Sequence, residues 1–303
     1  MLAFGYHRIA FTAGPYDGGV LDATPPQFEE QVRLLAKEFD VITPDELDAV
    51  VRRGRGRYVL ISFDDAYRDN FDHARPVLKR HGVRATLFVT TDFLDERRIS
   101  WWDEIAWMVR TSEKADLLAD PWLSGVLKLK PAPEQATRTL IGVYKSLPTD
   151  AAPAFLDALA DATGTGRHPQ DAGDLHMSWE DVRELRASGW QIGGHTVSHA
   201  ILGRLSADEQ EREVGGCKVR IESEVGEAMR YFCYPDGGRD SFNAETRRVI
   251  AGYGVEYAFS FYGGYRKFSD WDPYDVRRRG LGPTVSQDRF AMILALPQVF
   301  TWR

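Results

Sequence analysis

Cysteine is nearly absent from the 303-residue chain, which holds two, Cys217 and Cys233. Two thiols make no disulfide framework, and their spacing does not suit a zinc site, so reduced thiols in a cytosolic protein are expected. Long apolar runs are missing too. No stretch approaches a membrane span, and the start, Met1-Leu2-Ala3-Phe4-Gly5-Tyr6-His7-Arg8, has no basic region leading into a sustained apolar run. A cytoplasmic location is the expectation. Excess positive charge is lacking: 38 Lys and Arg face 45 Asp and Glu, a formal net charge of -7. Without a basic footprint, neither nucleic acid nor an anionic membrane surface is an expected partner, and a neutral or cationic substrate suits the chain better. Internal repeats and low-complexity tracts are also absent. What remains is an ordinary globular composition, 43% hydrophobic and 27% charged, long enough for one large domain or two small ones. One α/β barrel fits, and the oligomeric state leaves no mark in the sequence.

Against that plain background one stretch stands out, Val59-Leu60-Ile61-Ser62-Phe63-Asp64-Asp65-Ala66-Tyr67, an apolar run that stops at two adjacent carboxylates. Tyr58 to Phe63 is short, β-branched and aromatic, as a strand buried on both faces of a parallel sheet is. Side chains alternate along an extended chain, so the two neighbours can take different jobs, one binding a metal and the other handling protons. The plainer reading is a strand followed by an Asp-rich helix cap, since a helical pattern runs from Arg68 to Arg80. A second strand end, Gly193-Gly194-His195-Thr196-Val197-Ser198-His199, delivers two histidines four residues apart. If it turns into a helix, both imidazoles share a face and can reach one ion. Two neutral imidazoles plus one carboxylate would leave a position open for water, as a catalytic metal requires. The plain alternative is a pair of surface histidines beside a loop.

Taken in order, Met1 to Tyr6 reads as a strand, Gln27 to Lys37 as a helix and Val41-Ile42 as a short strand, with Thr43-Pro44 opening the next helix. The central strand, the Arg68–Arg80 helix and a strand at Arg84 to Val89 follow. Trp101 to about Gln170 is helical and irregular, broken at Pro131-Ala132-Pro133 and Pro148, and reads as an insertion or lid within a single domain spanning 1–303, at about 100–175. The alternation then resumes: helix Met177–Ser188, strand Trp190–Gly194, helix Ser206–Val225 and strand Arg230–Cys233. Helix Asn243–Ala251, strand Val255–Ser260 and a last strand at Tyr274–Arg279 complete it. Such alternation implies a parallel sheet with right-handed crossovers. His7, Asp64, Asp65, His195, His199 and the Tyr234-Pro235-Asp236 turn would then all sit at the C-terminal ends of strands, where parallel barrels collect working residues.

Ser62-Phe63-Asp64-Asp65 and His195-Thr196-Val197-Ser198-His199 closely resemble the first two motifs of the polysaccharide deacetylases, the carbohydrate esterase family 4 or NodB-like proteins. The resemblance extends to Tyr6-His7-Arg8-Ile9, Ala85-Thr86-Leu87-Phe88-Val89, Trp101-Trp102-Asp103 and Phe232-Cys233-Tyr234-Pro235-Asp236-Gly237, covering most of the chain outside roughly 110–175. It implies a distorted (β/α)7-type barrel of the NodB homology fold with a helical insertion, and a metal-dependent hydrolase that removes an N-acetyl group from a sugar or polysaccharide. Asp64 would be the general base and Asp65, His195 and His199 the metal ligands, with zinc expected first and nickel, cobalt or iron accepted by the same set. The backbone N–H of Tyr67 would help hold the oxyanion. Tyr234, Pro235, Trp102, Trp101 and Trp271 are candidates for contact with the sugar, exposed aromatics suiting its apolar C–H faces.

Three departures bear on this reading. Where many relatives carry an arginine in the third motif, this chain has Cys233, so Arg278, in Asp275-Val276-Arg277-Arg278-Arg279, is the candidate to orient the base. A solvated basic edge is the plain alternative. The general-acid histidine that many members carry near the C-terminus has no counterpart in Met292 to Arg303, and His7 matches the place of an N-terminal histidine in branches acting on poly-N-acetylglucosamine. Ser62 and Ala66 stand where Thr and Gly are commoner. Kept open are an amidohydrolase of non-sugar or formylated substrates and a noncatalytic carbohydrate-binding relative. A non-heme iron oxygenase fits less well, because Asp65 lies far upstream of the histidines.

Overall fold

The computed structural model describes residues 1–118, 121–122, 125–148, 151–169 and 173–300. They gather into two compact units, one of Met1–Phe11, Asp22–Asp95 and Asp174–Arg303, the other of Thr12–Leu21 and Glu96–Gly173.

The first unit is built on a parallel sheet nearly closed into a barrel. Its strands are β1 (Leu2–Tyr6), β2 (Asp40–Ile42), β3 (Tyr58–Asp64), β4 (Thr86–Val89), β5 (Gln191–Gly194), β6 (Tyr231–Cys233), β7 (Tyr257–Ser260) and β8 (Val276–Arg277). The path runs β1-β3-β4-β5-β6-β7-β8, with β2 paired to the start of β3. β1 and β3 run in register from Leu2 opposite Val59 to Tyr6 opposite Phe63. Arg279, just past β8, closes the circuit on β1: its N–H donates to the Ala3 carbonyl at 3.1 Å and its carbonyl accepts from the Gly5 N–H at 3.0 Å. Every residue of β3 is buried, which explains its unbroken apolar reading. Leu60, Phe88 and Phe259 belong to one core cluster, where truncation of Leu60 to alanine would cost about 2–5 kcal/mol.

In the first unit helices lie outside the strands, and in both units local sequence explains where helices end. In chain order they are α1 (Pro25–Glu38), α2 (Leu47–Arg53), α3 (Arg75–Arg80), α4 (Thr91–Asp95), α5 (Trp101–Thr111), α6 (Pro133–Ser146), α7 (Ala152–Thr163), α8 (Trp179–Ala187), α9 (Ala207–Val225), α10 (Ala244–Gly252) and α11 (Gln287–Ala295). Thr24, Ser178, Ser206 and Asn243 each cap a helix and pair with the third residue beyond in a capping box. α1 buries Phe28, Val32 and Leu35, one helical face. Among the described residues no helix is long and apolar enough to cross a membrane.

The second unit contains α5, α6 and α7 and an antiparallel pair, Asp116–Leu118 with Val126–Lys128. Its core is formed by Ile105, Met108, Leu140, Phe155 and Leu159. The hairpin departs from the helical reading of this region, because strands of three residues leave too few positions to show a period. Thr12–Leu21, also in this unit, carries no such mark in the sequence.

Two expected helices differ. The one read from Arg68 begins at Asn70 with a π-helical turn, Asn70–Ala74, before α3. Pro76 lacks the N–H that an uninterrupted α-helix would require there. The segment carrying His195 and His199 is not helical at all: Thr196 and His199 stand in the left-handed region, at φ 68° and 61°.

Candidate active site

The site is assembled at the C-terminal ends of β1, β3, β5 and β6. β3 ends on Asp64, and the chain then turns through two left-handed residues, Asp65 at φ 68° and Ala66 at φ 55°. Such conformations cost on the order of 1–3 kcal/mol each for non-glycine residues and persist only when surroundings hold them. Here the hold comes from Leu175 to Met177: Arg68 N–H donates to the Leu175 carbonyl, and Met177 N–H to the Ala66 carbonyl, both at 2.9 Å. The turn is what lets two consecutive carboxylates serve one site, where an extended chain would send them apart.

Asp64 and Asp65 keep different company. Arg278, fully buried, binds Asp64 in a fork, Nη1 to Oδ1 at 2.7 Å and Nη2 to Oδ2 at 2.8 Å. Nη1 also donates to Ser62 Oγ at 2.8 Å, Ser62 in turn donates to the Phe4 carbonyl, and Nη2 lies 2.6 Å from Cys233 Sγ. Gly5 leaves the room for this: a Cβ there would meet Phe261 at 2.5 Å and Arg278 Nη1 at 3.2 Å. Burial alone would raise the Asp64 pKa, but the charge and hydrogen bonds of Arg278, with His195 and His7 nearby, hold it well below the usual carboxylate range. Asp64 is therefore ionised at neutral pH.

Asp65 faces the two imidazoles. Its Oδ1 lies 3.7 Å from His195 Nε2 and 3.6 Å from His199 Nε2, and the ligand atoms of the three residues fall within 4.8 Å of one another. His195 Nδ1 is 2.8 Å from the Cys233 carbonyl, which can only accept, so Nδ1 carries the proton and Nε2 presents its lone pair to the site. Burial pushes the His195 pKa down to about 4, keeping the ring neutral. A neutral imidazole tethered through Nδ1–H to a backbone carbonyl is how metal-ligating histidines are oriented. Ligands about 2.0–2.2 Å from a tetrahedral ion stand roughly 3.3–3.6 Å apart, close to the spacing found here, so the three residues fit a divalent metal. His199 reaches the site through its loop. Glu213, on α9, accepts from the N–H groups of Val197 and Ser198 at 2.9 and 3.0 Å, and Thr91 and Asp92 donate to the carbonyls of Thr196 and Val197.

His7, following β1, completes this end of the barrel. Its Nε2 is 4.0 Å from Asp64 Oδ2, while Asp22 holds both its backbone N–H, at 2.6 Å, and its Nδ1, at 3.3 Å. Burial opposes the imidazolium charge, but the Asp22 hydrogen bond and the charges of Asp22, Asp64 and Asp65 outweigh it and raise the His7 pKa to about 9.

The remaining candidates are placed differently from one another. Tyr67 is buried in the turn after Asp65, its ring tilted by 31° against that of His176 with centroids 5.0 Å apart. Tyr234 is 1% exposed, stacked on Phe242 with its hydroxyl donating to the Tyr274 carbonyl, and Pro235 beside it is buried. Trp102, 5% exposed, lies in the second unit, edge-on to Trp101 at 5.2 Å. Neither Tyr234 nor Trp102 offers the exposed ring expected for sugar stacking, and Arg278 stands behind Asp64 and not at an open surface. Sequence reasoning missed Asp22, Glu213 and His176. His176 is sandwiched between Tyr67 and Phe93, its ring 4.7 Å from Phe93, with no hydrogen bond to either nitrogen among the described residues.

A carboxylate and two imidazoles gathered at the C-terminal rim of a parallel barrel define the class: an α/β-barrel protein with a site able to hold a metal. The family model for polysaccharide deacetylases matches residues 52–114 and 133–258, and the chain belongs to that family. It is 33% identical over 289 residues to the Bacillus subtilis protein YxkH, which carries the family's name, the match spanning 94% of this chain and 72% of YxkH. Two solved structures share the NodB fold. The deacetylase PplD of Streptococcus pyogenes superposes with a TM-score of 0.64 at 15% identity, covering 97% of each chain. IcaB from Ammonifex degensii gives 0.58 at 17% identity, covering 98% of this chain and 96% of that one.

Proposed function

We propose that the chain hydrolyses the N-acetyl amide of an N-acetylated sugar within an oligosaccharide or polysaccharide, releasing acetate, with a divalent metal held by Asp65, His195 and His199. Zinc is the first choice, and nickel, cobalt or iron suit the same ligands. When bound, the ion would lower the pKa of water toward neutrality and polarise the acetyl carbonyl. The observation that carries the reading is the division of labour between adjacent carboxylates, Asp65 turned to two imidazoles and Asp64 clamped by Arg278.

Asp64 takes the proton of the attacking water. Fixed by Arg278 in one orientation and always ionised, it is ready for that proton, though a weak base. The Tyr67 N–H, in the turn after the ligand carboxylate, helps hold the oxyanion. His7 donates a proton to the departing amine, a poor leaving group otherwise, and its raised pKa keeps it charged at neutral pH. Acetate release, measured over N-acetylhexosamine oligomers, nucleotide sugars and formylated sugars with and without chelator, tests the proposal. Acetate from the oligomers, lost on chelation and restored by added zinc, is the expected result. Formate from the formylated sugars alone would move the activity to another amide, and no release from any substrate would favour a binding protein.

A further inference from the structure

At the opposite end of β3 from Asp64 the surface is indented by an open cavity. Tyr58 opens β3 and Asp64 ends it, so at about 3.3 Å per residue the two places lie roughly 20 Å apart. This cavity, of about 720 Å³, is lined by Arg55, Arg57 and Lys267 and by an aromatic wall of Phe39, Tyr58 and Phe268. Its described lining contains no Asp or Glu, in a protein of net charge -7.

Arg55 and Arg57 come from a segment of unusual composition at the end of α2, and Lys267 from a second segment before β8. Arg52-Arg53-Gly54-Arg55-Gly56-Arg57 places four arginines in six positions. Gly54 ends α2 at φ 64°, and Gly56 takes φ 124°, where a Cβ would lie 2.4 Å from the Tyr58 ring. Gly54 thus serves the left-handed end of the helix, and Gly56 lets the chain pass close to the Tyr58 ring. The arginines are not equally engaged. Arg53 donates to the Tyr58 hydroxyl at 2.8 Å, and Arg57 lies 4.5 Å over the Phe39 ring with Glu38 at 3.3 Å. Arg55 and Lys267 have no side-chain hydrogen bond or ion pair among the described residues. Two uncommitted cations therefore face a cavity whose third cation is held on an aromatic ring.

The geometry points to a binding site for a phosphorylated ring compound, a nucleotide or a sugar phosphate, at the N-terminal end of the barrel. The volume lies within the roughly 300–1,000 Å³ of small-molecule sites, which combine apolar walls with a few charged groups. Arginine forks match phosphate oxygens, and the partly exposed ring of Phe268 suits a base or the C–H face of a sugar, with buried Tyr58 and Arg57-covered Phe39 forming the apolar floor. Inorganic phosphate would use only the cations.

Calorimetric titration of the full chain at low ionic strength with inorganic phosphate, UMP and glucose 6-phosphate tests this without reference to deacetylation. The expected result is that UMP or glucose 6-phosphate binds tighter than about 1 mM and at least about tenfold tighter than inorganic phosphate. The ligand that does so identifies the source of the phosphoryl group. In R55A/K267A, both exposed positions, that affinity should fall at least about tenfold with the melting temperature unchanged, and in F268A the preference over inorganic phosphate should shrink. Failure of all three ligands to bind, equal affinity for inorganic phosphate, or wild-type binding by R55A/K267A would overturn the proposal. So would attachment to phosphatidylglycerol vesicles with no binding of the soluble phosphates.

Discussion

Arg278 and Asp64, 214 positions apart in sequence, meet in a buried fork of two hydrogen bonds, at 2.7 and 2.8 Å. Cys233 stands against both, its Sγ 3.7 Å from Asp64 Oδ2 and 2.6 Å from Arg278 Nη2. The thiol occupies the place where many relatives carry an arginine, and the guanidinium reaches the carboxylate from β8's end instead. Charge at the carboxylate is preserved by a different strand.

Arg278→Met removes one partner of a fully buried pair and leaves Asp64 uncompensated. Stability to urea should fall by about 3–5 kcal/mol at neutral pH. Adding Asp64→Asn should restore a large part of it, because the stranded charge is gone. Additive losses in the double mutant would mean that the fork contributes no coupling.

Asp22 should set the alkaline side of the activity profile. If His7 acts as the acid, activity falls as pH rises through its pKa, raised to about 9 mainly against the opposition of burial by Asp22. In Asp22→Asn the alkaline limb should move down toward the ordinary histidine value of 6.5, measured as kcat/KM against pH. An unmoved limb would take His7 out of the proton path.

Much of this was legible because it lies at strand ends. Apolar runs stopping at Asp64-Asp65 and at His195 mark both the strands and the side chains that meet at their ends, and eight strands with their crossovers follow from alternation alone. Longer-range support was not legible. Asp22, Glu213 and His176 act through hydrogen bonds or ring contacts with groups distant from them in sequence, and an isolated Asp, Glu or His carries no periodic signal. The His195–His199 spacing suggested a helix, yet the residues meet in a loop with left-handed turns at Thr196 and His199. A four-residue interval fits both geometries. Aromatic content was equally ambiguous, since Tyr234 and Trp102 are buried.

His176 should set part of the acid sensitivity of the fold. Burial, aided by the charge of Arg8, lowers its pKa to about 3 from 6.5. The unfolded chain then binds a proton that the folded one refuses, so stability is full above about 6.5 and declines as pH falls toward 3, by up to about 5 kcal/mol. His176→Phe keeps the stack between Tyr67 and Phe93 and should flatten that decline in urea titrations between these pH values. An unchanged slope would place the sensitivity elsewhere.

Glu213 should act on metal affinity through the histidine loop. Glu213→Gln keeps the size but weakens acceptance from the Val197 and Ser198 N–H groups. Zinc affinity should drop about 10–100-fold, by competition with a chelating dye, with far-ultraviolet circular dichroism intact. Wild-type affinity would show that the loop holds its shape unaided.

The most direct test is metal stoichiometry, by elemental analysis, in the wild type and two variants purified and zinc-loaded identically. Wild type and Asp64→Asn should each hold one zinc per chain, Asp65→Ala none, with acetate release in the wild type only. One equivalent retained by Asp65→Ala, or metal lost with Asp64→Asn alone, would contradict the assignment of ligand and base.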